Sequence, residues 1–155
     1  QYLIKKTKRD LILWDGFCQV HAIFSLKELI KLKTRHPNAE IIAHPECEAQ
    51  ILDQAHFIGS TTALIKHTQS SHCDEFIIIT EPGVIHQMDK LNPQKKYIPL
   101  ANIEGCACNE CPYMRLNTLD KMINALETLT PEIVLDSYIM KRAKKPLIKM
   151  LELSQ

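Results

Sequence analysis

The sequence predicts an α/β fold, a parallel sheet layered with helices in a three-layer αβα arrangement. Two observations predict it. Short apolar runs that read as strands alternate with helix-like segments, in the order strand, polar loop, helix, four times over. Chemistry-bearing polar residues also recur just past the C-terminal end of each apolar run, where parallel sheets place their ligand groups.

The elements follow in order. Residues 1–10 are polar and basic, a linker or the end of a preceding helix. Leu11-Ile12-Leu13-Trp14 is a short apolar run closed by Asp15-Gly16, which predicts a buried strand ending in a turn. Cys18 and His21 come next. Ser25-Leu26-Lys27-Glu28 has the form of a capping box. The helix it opens has Leu26, Leu29, Ile30 and Leu32 on its apolar face and stops at His36-Pro37-Asn38. Ala39 to Ala43 is a second strand and leads into His44-Pro45-Glu46-Cys47. A short helix is expected over 48–54 and a third strand over His56-Phe57-Ile58. Gly59-Ser60-Thr61-Thr62 then opens a helix through Ala63, Leu64, Ile65 and Lys66.

Phe76-Ile77-Ile78-Ile79 is the clearest strand, with Thr80-Glu81-Pro82-Gly83 beyond it. A helix over about residues 83–91 and a fifth strand at Lys96-Tyr97-Ile98-Pro99 complete an α/β domain over 11–100. Residues 101–155 hold a cysteine loop and C-terminal helices. Asn117 caps one helix, whose face carries Leu119, Met122, Ile123, Leu126 and Leu129. Thr130-Pro131-Glu132 opens another, with proline at its first position. It runs to about Leu153 with a break at Pro146.

Totals restrict the function. A 155-residue chain has room for one domain, or one domain and an appendage. The formal charge is +1 with Lys and Arg dispersed, so there is no footprint for nucleic acid or for an anionic membrane. Lys141-Arg142-Ala143-Lys144-Lys145 reads as a solvated helix face. No apolar run is long enough to span a bilayer and no signal-peptide pattern is present, which makes the cytoplasm the expected location. There, six cysteines point to metal binding or reactivity in place of disulfides. With only four glycines, a Gly-rich phosphate loop is missing. The start at Gln1, without methionine, suggests a fragment or a processed chain.

Cys106, Cys108 and Cys111 form a C-x-C-x-x-C triplet, and close thiols offset the cost of their deprotonation only when a cation is present. Thiolate sulfur suits iron–sulfur clusters and zinc. The fold is expected to bring Cys18 to one thiol of the triplet to hold a metal centre. Cys73 reads as an inert structural cysteine, and Cys47 has no partner of its own in sequence. His21 is a ligand, a proton carrier or a hydrogen-bonded half-buried residue. His44 and Glu46 flank Pro45, whose fixed backbone separates two titratable groups able to divide acid and base work. The plainer alternative is a turn with a surface glutamate. Ser60 and Thr61 open a helix whose free N–H groups make a seat for phosphate or carboxylate, or simply cap it. Thr80 and Glu81 are supporting candidates.

Taken together, Trp14-x-Gly16-x-Cys18-x-x-His21, His44-Pro45-Glu46-Cys47, Gly59-Ser60-Thr61-Thr62, Thr80-Glu81-x-Gly83, Cys111-Pro112-x-Met114 and Leu147-Ile148-Lys149-Met150-Leu151 resemble the quinolinate synthase family. The resemblance covers nearly the whole chain but only about the C-terminal half of the family's usual enzyme. It implies a transferase of de novo NAD (pyridine nucleotide) biosynthesis that condenses iminoaspartate with dihydroxyacetone phosphate. It implies three similar α/β domains about a pseudo-threefold axis, with a [4Fe–4S] cluster between them. One cysteine per domain holds the cluster, and an open iron serves as Lewis acid. By the same resemblance Cys18 and Cys111 match cluster ligands. His21 and His44 match substrate-site histidines, Glu46 the acid/base carboxylate, and Ser60 and Thr61 the hydroxyls that hold anionic groups. The third cysteine is implied to come from an N-terminal half of the same enzyme, so this chain alone is expected to be inactive. Cys106 and Cys108 match no ligand and are left as a redox pair or substitute ligands. The competing reading is a zinc- or cluster-stabilised α/β binding module without catalysis, whose site would close with a fourth protein ligand. A metal-free α/β domain is a third.

Overall fold

Four of the five expected strands form, and all pair in parallel. The computed structural model describes residues 1–102 and 109–154. Cys106 and Cys108 lie outside them, and so does any role expected of that pair. Two compact units divide the chain, Gln1–Arg115 and Leu116–Gln155.

The first unit runs α1 (Tyr2–Thr7), α2 (Gln19–Ala22), α3 (Leu26–Arg35), β1 (Glu40–Ala43), α4 (Ala49–Leu52), β2 (Phe57–Ile58), α5 (Thr61–Ser70), β3 (Glu75–Ile79), α6 (Gly83–Leu91) and β4 (Lys96–Pro99). The sheet order is β2-β1-β3-β4. Ile42 pairs with both Phe57 and Ile78, and Ile77 with Ile98, which fixes the register. Pro99, which has no N–H to donate, sits in β4 at the sheet's edge.

Alternation along the strands splits the core in two. Ile41, Ala43, Ile77 and Ile79 face Val20, Phe24, Leu29, Cys47 and Ile51 from α2 to α4. Ile42, Phe76 and Ile78 face Leu64, Val84 and Met88 from α5 and α6. Both faces of β1 and β3 are thus covered, which explains why their sequences are continuously apolar. The result is the expected three-layer α/β sandwich. Each isoleucine so buried contributes roughly 1.5–3 kcal/mol. The connection from β1 to β2 crosses one face and those from β2 to β3 and β3 to β4 cross the other, as right-handed crossovers require when the chain reverses direction across the sheet.

The local sequence signals and the structure agree in part. Ser25 Oγ accepts from the Glu28 N–H at 3.3 Å, but the return half of the capping box is absent. The Ser25 N–H donates instead to the Ala101 carbonyl at 3.4 Å, beside a bridge between Phe24 and Asn102. Leu11 to Trp14 is not a strand. It has no regular structure, and Ile12 and Trp14 are 105% and 89% exposed. An apolar run becomes a strand only with a neighbouring strand to hydrogen-bond, and no described strand pairs with it.

The second unit holds α7 (Leu119–Thr128) and α8 (Ser137–Glu152). Thr118, not Asn117, caps α7, its hydroxyl accepting from the Lys121 N–H. The helix expected from Pro131 starts later. Asp136 provides the cap, accepting from the Ile139 N–H at 3.0 Å, and residues 129–136 are not helical. Pro146 lies inside α8 without ending it. The apolar face expected on α7 is present and exposed within the unit.

Candidate active site

The sheet reverses its winding between β1 and β3, since β1 leads to one side and β3 to the other. A crevice opens at such a point, beyond the C-terminal ends of the two strands. The turn after β1 supplies His44 and Glu46, and the residue after β3 is Thr80. His44 is held to β3 by its N–H, which donates to the Ile79 carbonyl at 3.0 Å. The Cys47 N–H donates back to the His44 carbonyl at 3.0 Å, closing the turn about Pro45. Cys18 and His21 arrive from the irregular segment and α2, not from a strand, yet reach the same edge.

His21 is the hub. It is buried, with Nδ1 3.1 Å from Glu46 Oε2 and Nε2 3.1 Å from Thr80 Oγ1. Its ring stacks on His44 at 4.3 Å between centroids, 13° from parallel. Burial, followed by the nearby His44, lowers the His21 pKa against the opposing pull of Glu46. The imidazole is therefore kept neutral. With Glu46 ionised, its Oε2 accepts from Nδ1–H, and Nε2 then accepts from the Thr80 hydroxyl. The Glu46 N–H donates to His44 Nδ1 at 3.4 Å, so His44 carries its proton on Nε2 and can give it to a ligand oxygen. Glu46 itself is exposed, with Oε2 3.7 Å from His44 Nδ1, accessible to a substrate.

Cys18 joins this group. Its thiol, a His21 ring nitrogen and a Glu46 carboxylate oxygen all lie within 4.8 Å of one another. Cys18 and Cys111 are half-buried and pack against the same apolar cluster. Cys47 is excluded from such work in the chain as it stands. It is buried, its thiol faces the Ile79 carbonyl at 3.6 Å, and burial pushes its pKa up to about 12.

Ser60 and Thr61 sit apart, past the end of β2. Ser60 Oγ accepts from the Ala63 N–H at 3.3 Å as the cap of α5, and both residues are exposed. Glu81 is spent locally, accepting from the Gly83 N–H at 2.7 Å. Sequence reasoning missed Asn109. It is buried, and its Nδ2 donates to the Val20 carbonyl at 2.8 Å. Nothing in the sequence marks it except its place between two cysteines.

A family model described as Quinolinate synthetase A protein matches residues 1–152. The quinolinate synthase of Trichodesmium erythraeum (strain IMS101) is 54% identical over 154 residues, 99% of this chain and 48% of the relative. That of Synechocystis sp. (strain ATCC 27184 / PCC 6803 / Kazusa) is 54% identical over the same shares. The Cyanophora paradoxa protein of the same name is 51% identical over 99% of this chain and 47% of its own length. The chain thus spans about half the length of the curated relatives it matches. The match over nearly every residue places the chain in the quinolinate synthetase A protein family.

Proposed function

We propose that the chain is the C-terminal half of a quinolinate synthase, a cytoplasmic transferase of NAD biosynthesis that condenses iminoaspartate with dihydroxyacetone phosphate. The observation that carries this reading is the meeting of His21, His44, Glu46 and Thr80 beside Cys18 at the sheet's reversal point, in a chain whose relatives bear that name. No helix among the described residues is long and apolar enough to cross a membrane, which agrees with a cytoplasmic place.

A [4Fe–4S] cluster suits the donors on this chain. Cys18 and Cys111 are half-buried thiols packed on one apolar cluster, and thiolate sulfur is what such a cluster takes. Two thiols are an incomplete set. The third comes, on this reading, from the N-terminal half, with three α/β domains arranged about a pseudo-threefold axis. When bound, the cluster supplies an open iron as Lewis acid.

The chain's own residues do the rest. Glu46, the exposed carboxylate, takes protons from the condensing substrates. His44 donates through Nε2–H to a developing oxygen charge. His21 stays neutral and, tied to Thr80, holds Glu46 in place. Ser60 and Thr61, at the start of the ten-residue α5, hold an anionic group such as the triose phosphate.

A single zinc ion on Cys18, His21 and Glu46 is the second reading, favoured by the closeness of these donors. As a structural site it would need a fourth protein ligand. Anaerobic iron, sulfide and zinc quantitation on the full-length protein and on this chain, with an assay for quinolinate, separates the readings. Roughly four irons with matching sulfide in the full-length protein only, and quinolinate made only there, is the expected result. One zinc and no sulfide on this chain alone would replace the enzyme reading with a structural one.

A further inference from the structure

Asn109 makes a contact that no sequence motif announced. Its buried side-chain amide donates to the backbone carbonyl of Val20 at 2.8 Å, across 89 residues of chain. Val20 lies two residues after Cys18, and Asn109 lies two residues before Cys111. The bond therefore ties the two thiol-bearing segments together close to both thiols. The acceptor is also chemically apt. Val20 belongs to the four-residue α2, too short to satisfy its own terminal carbonyls, so a buried oxygen there needs a donor from elsewhere. Cys18 is the N-cap of that helix, and the Ala22 N–H donates to the Cys18 carbonyl at 3.1 Å. Whatever fixes α2 also fixes the Cys18 backbone.

The Cys111 side is anchored as well. The Arg115 N–H donates to the Cys111 carbonyl at 3.2 Å, and Arg115 pairs with Glu110. Among the described residues, no other hydrogen bond links residues 109–115 to the Cys18 turn.

We propose that Asn109 is a positioning residue that clasps the Cys111 segment to the Cys18 turn before any metal arrives, setting the spacing of two cluster ligands. This rests on the quinolinate synthase reading for the identity of the metal group. The clasp itself is a property of the metal-free chain. A preformed ligand pair binds tightly because less chain is ordered on loading. Groups that orient ligands from behind typically change metal affinity 10–100-fold when removed.

The test uses the full-length protein and Asn109→Ala, Asn109→Ser and Thr68→Val variants. Thr68 is buried in α5 on the other face of the sheet, so its variant controls for general loss of stability. Iron release to a ferrous chelator is followed anaerobically, and thermal unfolding is measured on the metal-free forms. Both Asn109 variants are expected to release iron about 10–100-fold faster than wild type, while Thr68→Val releases it at the wild-type rate. Equal rates for wild type and the Asn109 variants overturn the proposal. So does equally fast release by Thr68→Val at a matched melting temperature, which would make the role merely structural. Hydrogen exchange is compared between metal-free wild type and Asn109→Ala. Faster exchange of the Ala22 and Arg115 N–H groups, which hold the Cys18 and Cys111 turns, is expected in the variant, and equal exchange overturns the clasp. A wild type that binds no iron, with the variant still exchanging faster, sinks the cluster reading and leaves the clasp standing.

Discussion

His21 and His44 lie face to face, with ring centroids 4.3 Å apart and planes 13° from parallel, although one comes from α2 and the other from the turn after β1. Two imidazoles so placed do not both become imidazolium cheaply. The buried ring is the one that stays neutral, for burial, followed by the nearby His44, lowers its pKa against the pull of Glu46. The pair thus divides its work by environment. His21 is a fixed hydrogen-bonding hub, while His44 is half-buried and Glu46 is exposed.

Glu46→Gln tests the proton-transfer role. The amide keeps the shape and can still meet His21, but it is no longer a base. In the full-length protein we expect kcat to fall about 10²–10⁴-fold, with iron content unchanged. An unchanged kcat at full iron content would remove Glu46 from proton transfer.

Thr80→Val removes the partner of His21 Nε2 while keeping the side chain's volume. A buried ring nitrogen left without a hydrogen bond costs about 1–3 kcal/mol. Urea unfolding of this chain is expected to show that loss, and Thr80→Ser, which retains the hydroxyl, to recover most of it. Equal midpoints for Thr80→Val and wild type would mean that the hydrogen bond contributes nothing to stability.

Part of this site was legible from sequence because His44, Glu46 and Thr80 follow strands, whereas Cys18 and His21 do not. Phe76 to Ile79 can be read as a buried strand, so Thr80 is placed at its end. The same holds for Ala43 and His44. Leu11 to Trp14 failed because apolar character signals burial without naming the surface that provides it, and no described strand pairs with this run. The Thr118 and Asp136 caps were missed by one and several residues, since Asn, Thr and Asp compete for the same role and only the hydrogen bond decides. Asn109 was illegible for a different reason. Its function is a contact with a distant backbone carbonyl, and backbone carbonyls have no sequence signature. The pairing of His21 with Thr80 and the stacking on His44 were likewise invisible, for they depend on strand order.

Cys47 makes a prediction about reactivity. The residue is 5% exposed and burial pushes the thiol's pKa up to about 12, so at pH 8 almost none is thiolate. Brief treatment of the metal-free chain with iodoacetamide, read by peptide mass, should modify the half-exposed Cys18, Cys73 and Cys111 and spare Cys47 until denaturant is added. Labelling of Cys47 at the rate of Cys18 would contradict the burial that keeps it out of ligand duty.

Glu40, at the start of β1, makes the fold's acid sensitivity specific. His67 Nε2 lies 2.6 Å from Oε1, and the Ser71 hydroxyl donates to Oε2 at 2.7 Å. Burial alone would raise the carboxyl's pKa. The bonds from Ser71 and His67 outweigh it, and the net shift is downward from the ordinary 4.5. The folded state therefore holds the proton less tightly than the unfolded chain does. The stabilisation is fully present above 4.5 and is lost as pH falls through the lower folded value. Glu40→Gln should lower the urea midpoint at neutral pH, because the charged contacts are gone. From the ordinary carboxylate range downward its midpoint should fall less steeply than that of wild type, so that the two curves converge in acid. Parallel curves over the whole range would show that Glu40 titrates alike in both states and that His67 and Ser71 do not hold its charge.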